Sequence, residues 1–339
     1  MKQIKSPTIF QALFPIIFLV VLLIINVSGF GDDALSGSMQ IVLILSSAVA
    51  SIIAFNLGFT WLEIQKGIVK SINSSIPSIL ILFLVGSLAG SWLLSGIVPA
   101  FIYYGIQILN AKIFLFAACL ICIVVSMATG SSWTTSATIG IALIGIGRAL
   151  DISDGLVAGA ILSGAYFGDK MSPLSDTTNL APAMAGSDLI SHIKYLSLTT
   201  VPSIIISLVI FIVLGFSISD SIGLNNAEVI SSAIKEKFYI SPVLFIVPLT
   251  VIILIYNKIK AVPALFIGMI LGSAFALIFQ SNLVLEVSDS CSNSWKALFS
   301  GTMISLYGSI SIDTSNEMVS KLLSSSGMFG MLDTIWLVI

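Results

Sequence analysis

The chain has 339 residues, of which 57% are hydrophobic and only 9% are charged. An average soluble domain has about 25% charged residues, so this composition excludes a soluble globular fold. The net charge of −2 comes without a basic stripe, which argues against nucleic acid as a partner. His192 is the single histidine, so the chain cannot form metal sites or catalytic triads that require a cluster of histidines. We therefore expect neither an enzyme nor a bound cofactor.

The first two apolar runs predict a pair of membrane-spanning helices, at about Phe10–Val27 and Met39–Phe59. Each is close to the roughly 20 residues that an α-helix needs to cross a bilayer. An acidic, Gly/Ser-rich loop, Ser28–Ser38, joins them. Lysine and arginine collect on the cytoplasmic side of short loops, so Lys2 and Lys5 predict a cytoplasmic N-terminus.

The next part of the chain is less regular. Thr60–Ile76 has the pattern of an amphipathic helix that lies at the membrane surface without crossing. Pro77–Phe167 is apolar but interrupted by glycine, proline and hydroxyl residues, and several of its segments are too short to span. Such segments are tolerated where they line a buried or water-filled site, so we expect broken or re-entrant helices of a transporter. Clearer spans follow at Leu198–Phe216, Ile240–Tyr256 and Val262–Phe279.

These runs predict an all-α polytopic membrane protein with about eight to ten membrane helices, some of them broken or re-entrant. The expected parts of this single transporter domain are N-terminal spans (1–59), a first repeat (60–216), connecting spans (217–294) and the start of a second repeat (295–339). The segment around Trp295 has a sequence pattern similar to that around Trp61, and this similarity indicates the repeat. Because the chain ends within the apolar run Ile335–Ile339, we expect a C-terminal truncation that leaves the second repeat incomplete.

The sharpest feature of the sequence is a polar segment between apolar helices, Gly168–Asn179. Its carboxylate, ammonium, hydroxyl and amide groups belong to Asp169, Lys170, Ser172, Ser175, Asp176, Thr177, Thr178 and Asn179. Pro173 and Pro182 prevent a continuous helix, which leaves backbone carbonyls free to face a ligand. Oxygen groups of these kinds suit a small hard cation such as Na⁺, although a solvated loop would have a similar composition.

Two further observations favour an enclosed site over a solvated loop. The charges are mixed and sit among small residues. The preceding helix has two pairs of glycines four residues apart, which predict close contacts between membrane helices: Gly155 with Gly159, and Gly164 with Gly168. An ionised aspartate near the bilayer centre costs about 2.5–3.5 kcal/mol, so it is retained chiefly where it has a function.

A second candidate is the hydroxyl-rich run Thr129–Ser136, which lies between two apolar segments. As the tip of a re-entrant hairpin it could offer ligands to an ion; those residues are Ser131, Ser132, Thr134 and Thr135. Hydroxyl groups that bond back to helix carbonyls would explain the run equally well.

Two other polar clusters are interpreted as interfacial. Asp151 and Asp154 flank a short break after Arg148, which is typical of a charge cluster that includes a helix cap. The later cluster Asp313–Asn316 is likewise assigned to an interface rather than to a binding site.

The polar motifs resemble the NhaC family of Na⁺/H⁺ antiporters, within the broader ion-transporter superfamily. The run Gly168–Pro182 is similar to the family signature, and Ser131–Thr135 is similar to a second block. The run Ser95–Pro99, followed by Tyr103–Gly105, fits a third block. The resemblance covers essentially the whole chain. It implies two inverted repeats whose broken helices meet near the membrane midplane, in a multi-pass inner-membrane protein of bacteria.

The resemblance also implies exchange of Na⁺ for H⁺ at one carboxylate. Burial favours the protonated form of a carboxylate and a nearby Na⁺ favours the charged form, so the two cations exclude each other. Alternating access would then couple the two gradients. We assign Asp176 as the coupling carboxylate, with Na⁺ held by Asp176, Thr177 and Asn179.

The remaining residues of the polar segments have supporting roles in this assignment. Ser175 and Thr178 are expected to add oxygen ligands, and Asp169 is a second carboxylate or the partner of Lys170. Arg148 is the other candidate charge partner. The expected partners are the lipid bilayer and the two ions, and a homodimer stays open.

Other functions remain as alternatives. One is an exchanger of organic anions such as malate or lactate, coupled to H⁺ or Na⁺. An anion site would need cationic groups in the cavity, and the candidate helices offer only Arg148 and Lys170. A membrane enzyme and a non-transporting scaffold have less support, since no nucleophile with a base and no phosphate loop is found.

Overall fold

The computed structural model describes residues 6–35, 37–108, 110–173, 175, 178, 181–182, 185–217, 220–257, 259–288, 295–314 and 317–338. Within these ranges, the side chains of residues 32, 220–228, 317–318 and 321 are not described. Contacts divide the chain into two compact units, Met1–Leu82 with Gly330–Ile339 and Phe83–Phe329.

The described residues are almost entirely helical, which confirms the predicted all-α membrane fold. The first helices are α1 Ile9–Phe30, α2 Ser38–Leu57, α3 Trp61–Leu94, α4 Ile97–Ile108, α5 Ala111–Thr129, α6 Ser132–Thr135, α7 Ile141–Ala149 and α8 Asp154–Met171. The later ones are α9 Leu189–Phe216, α10 Asp220–Lys237, α11 Ile246–Tyr256, α12 Ala261–Phe279, α13 Ser281–Val287, α14 Trp295–Tyr307, α15 Glu317–Leu322 and α16 Leu332–Val338. Two-residue strands, β1 Ile310–Ser311 and β2 Ser324–Ser325, form one antiparallel pair.

Six helices in the described part of the chain are long and apolar enough to cross a membrane: α1, α2, α3, α5, α9 and α12. A seventh span results if Val229–Lys237 and Pro242–Tyr256 are counted as one broken helix, which bends by 86°. The described residues thus hold six or seven candidate spans, fewer than the expected eight to ten, and two shorter apolar helices, Ile97–Ile108 and Phe329–Val338. The bent pair lies after the region Pro77–Phe167, and inside that region the chain is also interrupted, at Gly96 and at Gly130.

The unit that contains α1 and α2 is a helical hairpin closed by buried amide side chains. A capping box starts α1, because the Thr8 side chain accepts from the Gln11 backbone while the Gln11 side chain accepts from Thr8. The Asn26 amide donates to the Ala34 carbonyl at 3.1 Å. The Gln40 amide donates to the carbonyls of Leu35 and Asp333, at 3.1 and 3.2 Å. Two carbonyls at the end of the turn, those of Ala34 and Leu35, are therefore paired by side-chain amides.

Helix α3 differs from the sequence prediction for its first half. Thr60–Ile76 was expected to form a separate surface helix, whereas the structure has one helix of 34 residues that continues through Pro77. Its first half is largely exposed, and its last residues, Gly86–Leu94, are buried except at Ala89. The amphipathic pattern thus marks the exposed part of one long helix.

The core of the Phe83–Phe329 unit is the contact between α5 and α8. A Cβ atom added at Gly164 would overlap the Cys119 carbonyl oxygen, and one at Gly168 would lie 2.6 Å from Cβ of Ser126. The Ser126 hydroxyl donates to the Ala165 carbonyl at 2.5 Å. The predicted close contact is confirmed for Gly164 and Gly168.

For the other glycine pair the prediction is wrong. A Cβ atom at Gly155 or Gly159 would have no atom within 4 Å, because these residues lie near the start of α8 on a face without a close neighbour. The close approach of α8 to the α5 backbone at these glycines lies in the half of α8 that leads into the polar segment.

Three interruptions of helices meet at the buried side chain of Gln280. This residue lies between α12 and α13, and its amide both donates to the Tyr239 carbonyl at 3.0 Å and accepts from the Tyr239 N–H at 3.1 Å. Tyr239 follows α10 at the 86° bend. Gly96, between α3 and α4, has φ +82°, and a Cβ atom there would lie 2.6 Å from Nε2 of Gln280. One amide therefore satisfies backbone groups that the bend leaves without helical partners.

Replacement of Gln280 by leucine is expected to destabilise the protein. The change leaves the Tyr239 N–H and carbonyl groups without this partner, and each unpaired buried group costs about 1–3 kcal/mol. Thermal unfolding in detergent would measure the loss. Asn282→Leu changes a nearby exposed amide and should leave the unfolding temperature close to that of the wild type; equal effects of the two changes would contradict the role of Gln280.

Gly164→Ala is expected to destabilise the α5–α8 contact, because its Cβ atom would overlap the Cys119 carbonyl. Overpacking of this kind costs about 1–3 kcal/mol. Gly159→Ala is the matched control in the same helix, where the added methyl group has free space. Unfolding temperatures of the two variants should separate clearly, and a loss in Gly159→Ala as large as that in Gly164→Ala would refute the assignment.

Candidate functional site

The hydroxyl-rich run lies at the turn of a helical hairpin. The first arm, α5, ends at Thr129, and Gly130 turns the chain with φ +68°. Ser131 then caps α6, since its hydroxyl accepts from the Thr134 N–H at 3.2 Å. The second arm runs through α6, a π-helical segment Ser136–Gly140 and α7. Segments of π-helix are frequent at functional sites.

The hydroxyl groups of this turn are buried and mostly bond within the hairpin. Thr135 donates to the Ser131 carbonyl at 2.9 Å, and Thr134 shares a contact of 3.0 Å with the Ser131 hydroxyl. Thr138 donates to the Thr134 carbonyl at 2.8 Å. Back-bonding to helix carbonyls therefore explains several members of the run, as the alternative interpretation expected.

Ser132 is the exception, because its hydroxyl leaves the hairpin and reaches α8. It donates to Oδ2 of Asp169 at 3.0 Å, and its side chain is only 4% exposed. Two polar segments that are 37 residues apart in sequence are thus joined at one carboxylate. Asp169 itself is half-buried in the last turn of α8.

Beyond α8, further hydroxyl groups turn towards its C-terminal end. The Thr178 hydroxyl lies 3.1 Å from the Asp169 carbonyl and 3.2 Å from the Lys170 carbonyl, and can donate to either. Ser172 donates to the Met127 carbonyl of α5 at 2.8 Å. The side chains of Ser172, Ser175 and Thr178 are all at most 4% exposed. The end of α8 is therefore surrounded by several buried hydroxyl groups.

Three of the predicted Na⁺ ligands, Asp176, Thr177 and Asn179, lie outside the described residues. Their assignment stays a prediction, and the described neighbours Ser175 and Thr178 give its surroundings. The Ser175 hydroxyl accepts from the Thr178 N–H at 3.4 Å.

The two cationic residues named from the sequence have different environments. The Arg148 guanidinium makes a bidentate ion pair with Asp154, with a shortest distance of 2.6 Å. Asp154 and Asp169 are at opposite ends of α8, about 22 Å apart at 1.5 Å per residue. The ion pair between Arg148 and Asp154 is therefore far from Asp169. Lys170 is exposed, and no ion pair joins its side chain to Asp169.

The sequence interpretation missed two features of the described structure. Ser126 and Thr138 are buried hydroxyl residues that flank the predicted run, and apolar neighbours obscured them. A cavity of about 510 Å³ also lies at the bend after α10, lined by Lys235, Lys237, Tyr239, Gln280, Asn282 and others. Among the described residues, none of the predicted ion ligands lines it, whereas two of the predicted polar segments meet at Asp169.

The fold is that of a polytopic membrane protein in which a cluster of oxygen groups surrounds the end of α8. Comparison with known proteins makes the class specific. The model of the Na⁺/H⁺ antiporter family matches residues 164–339. The chain belongs to this family, and the prediction of an NhaC-type protein is confirmed. Membership implies a transporter rather than an enzyme.

Curated relatives with different printed activities are similar to this chain. The malate-2H⁺/Na⁺-lactate antiporter of Bacillus subtilis is 35% identical over 100% of this chain and 68% of its own length. The Na⁺/H⁺ antiporter NhaC of Alkalihalophilus pseudofirmus is 35% identical over 88% of this chain and 62% of its own. The arginine/ornithine antiporter ArcD of Halobacterium salinarum is 35% identical over 98% of this chain and 65% of its own. The chain thus spans about two thirds of the length of these relatives, and no solved structure matches it.

Ser132→Ala is expected to lower the apparent affinity for Na⁺ in exchange by about tenfold or more. The change removes a hydrogen bond to a carboxylate, which contributes about 1.5–3 kcal/mol. Na⁺-dependent proton movement in proteoliposomes would give the apparent affinity. Thr138→Val removes a hydroxyl that bonds only to the Thr134 carbonyl and serves as the control. Equal apparent affinities for Na⁺ in Ser132→Ala and in the wild type would show that this contact does not contribute to Na⁺ binding.

Proposed function

We propose that this chain exchanges Na⁺ for H⁺ across a membrane by alternating access, without a cofactor other than the transported ions. Family membership supports the class of reaction. The hydrogen bond from Ser132 to Asp169 carries the proposal for the site, because it brings polar groups from two segments to one carboxylate. The surrounding hydroxyl groups are buried, so a desolvated ion would find oxygen atoms in place of water.

The oxygen atoms at the end of α8 match the needs of a sodium ion. The Asp169 carboxylate supplies a negative charge, and the Thr178 and Ser175 hydroxyls lie close to the last turn of the helix. The C-terminal end of a helix carries a partial negative charge, which favours a cation there. We assign Asp176, Thr177 and Asn179 as the direct ligands and Asp169 as the second carboxylate.

Coupling follows from competition between the two ions. When Asp176 is protonated its negative charge is lost, and Na⁺ has no counter-charge at the ligand set. When Na⁺ is bound, the carboxylate is held in its charged form. A site that opens alternately to the two sides then carries Na⁺ one way and H⁺ the other. Ser132 positions Asp169 by its hydrogen bond and does not itself exchange protons in this scheme.

The cellular setting forms part of the proposal. The membrane-spanning helices and the antiporter relatives support a multi-pass membrane protein, and we propose the inner membrane of a bacterium. Lys2 and Lys5 support a cytoplasmic N-terminus. Assembly as a homodimer stays a prediction.

A second candidate is exchange of organic anions coupled to H⁺ or Na⁺. It is favoured by the similarity of the whole chain to the malate-2H⁺/Na⁺-lactate antiporter. A carboxylate substrate needs a cationic partner, and Arg148 is already paired with Asp154. Lys170 is the candidate that the described residues leave near the oxygen cluster. Na⁺/H⁺ exchange is the better supported function because the cluster is built from anionic and neutral oxygen groups.

Asp176→Asn is expected to abolish exchange, because asparagine can neither bind a proton in the carboxylate manner nor supply a charge for Na⁺. The measurement is the collapse of a pH gradient on addition of Na⁺ to everted vesicles that contain the chain. Asp188→Asn is a suitable control, since Asp188 caps α9 and asparagine caps helices equally well. Robust exchange by Asp176→Asn would exclude Asp176 as the coupling residue.

Liposomes with purified protein separate the two candidate functions. Radiolabelled Na⁺ uptake driven by a pH gradient, without an organic substrate, is expected for Na⁺/H⁺ exchange. If labelled malate or lactate is taken up, and labelled Na⁺ is not taken up in the absence of an organic substrate, the result would instead support the organic-anion exchanger.

A further inference from the structure

The first half of α3 leaves both apolar and charged side chains uncovered. Trp61, Leu62 and Val69 are 58%, 59% and 50% exposed. The neighbouring face of the helix carries Lys66 and Lys70, which are exposed as well. A helix crosses the hydrocarbon core with about 20 residues, and α3 has 34. It is therefore long enough to place its first turns in the headgroup layer of the membrane.

A groove of about 450 Å³ runs along this half of the helix. Its lining residues recur at intervals of three and four, so they share one helix face. They are Leu62, Gln65, Lys66, Val69, Lys70 and Asn73. Two of these side chains are apolar, two carry amides and two carry ammonium groups. The groove therefore lies at the border between the apolar and the polar face of an amphipathic helix.

The two lysines of the groove lack an anionic partner in the described part of the chain. Lys66 and Lys70 are one turn apart, and like charges at this spacing repel each other. Glu63, the acidic residue closest to them in sequence, is engaged by the start of the helix. Its Oε2 accepts from the N–H and the hydroxyl of Thr60, both at 2.8 Å. Neither lysine forms an ion pair with a described residue. An anion from outside the chain would relieve their repulsion.

An aromatic pair places the start of α3 at the membrane surface. Trp61 stacks on Phe55 of α2, with 6.4 Å between ring centroids and 17° between the ring planes. Tryptophan is enriched where the membrane meets water, and the groove begins at the next residue, Leu62. Two candidate spans, α1 and α2, precede this point. The groove is therefore on the same side of the membrane as the N-terminus, the side for which the basic residues predict the cytoplasm.

We propose that this groove binds the headgroup of an anionic phospholipid. Lys66 and Lys70 hold the phosphate, because basic side chains at the membrane surface attract anionic lipids. The two amides of the groove donate to the remaining headgroup oxygens, and Leu62 and Val69 contact the first carbons of the acyl chains. A free phosphate ion would use only the cationic part of this surface, whereas a phospholipid also covers its apolar part. Lipid binding here is independent of which ions the chain transports.

Stabilisation of the purified chain by lipid tests the proposal without requiring transport. Phosphatidylglycerol is added to the chain in a neutral detergent and the unfolding temperature is followed, with phosphatidylcholine as the lipid without net charge. The variant Lys66→Gln/Lys70→Gln is expected to need about tenfold more phosphatidylglycerol for half of the stabilisation, because both ammonium groups near the anionic headgroup are lost. The variant Lys66→Arg/Lys70→Arg keeps both charges and should respond like the wild type.

The matched control is Lys194→Gln/Lys260→Gln, which removes the same charge from two exposed lysines outside the groove. Its response to phosphatidylglycerol should equal that of the wild type. An equal loss in this control would show that overall charge attracts the lipid, and would overturn the site. A wild-type response of Lys66→Gln/Lys70→Gln would overturn it as well.

Other occupants of the groove give different results. Equal stabilisation by inorganic phosphate and by phosphatidylglycerol, at the same concentration, would make the groove a site for a free anion and refute the lipid. A particle of two chains in light scattering that Lys66→Gln/Lys70→Gln reduces to one chain, without any response to phosphatidylglycerol, would assign the groove to a second copy of the chain.

The substituted lysines are exposed, so Lys66→Gln/Lys70→Gln should fold and unfold like the wild type in the absence of lipid. If its unfolding temperature without lipid is lowered, retention of radiolabelled phosphatidylglycerol per chain, measured below that temperature, replaces the unfolding measurement. Retention equal to that of the wild type would then contradict the proposal, and reduced retention would support it.

Discussion

Lipid offers no hydrogen bonds, so every interruption of a membrane helix must satisfy its own backbone groups. This constraint decides where the chain can break. At the 86° bend after α10, Gln280 pairs with both backbone groups of Tyr239, and Gly96 gives that amide the space it needs. At the turn after α5, Gly130 adopts a left-handed conformation and Ser131 caps the next helix. The breaks that a transporter requires are thus tied to a few polar side chains in an apolar protein.

The second constraint is the distance between helices. Because Gly164 and Gly168 have no side chain, α8 can approach the backbone of α5 closely in the half that ends at the polar segment. That approach places Asp169 within reach of Ser132, although the two residues are on different elements. The same helix has open space at Gly155 and Gly159, so this glycine-mediated approach to α5 lies in the half of α8 next to the polar segment. The ion pair between Arg148 and Asp154 secures the other end of α8.

The sequence by itself determined the class of fold and the location of the polar segments. Apolar runs of about 20 residues are a local property of the chain, and a charged residue among them is visible without coordinates. It also identified the glycine pair at Gly164 and Gly168, since spacing along a helix is local as well. The sequence predictions were wrong where the packing of helices determines the structure. These cases are the expected contacts at Gly155 and Gly159 and the continuation of α3 through Pro77.

Only the tertiary structure decided which polar groups meet. The contact from Ser132 to Asp169 joins residues 37 apart, and the pairing of Arg148 with Asp154 withdraws that guanidinium from the site. The meeting of three helix breaks at Gln280 depends on residues far apart in the chain. No local pattern encodes such contacts, because they arise from the way helices pack once lipid has excluded every unpaired backbone group.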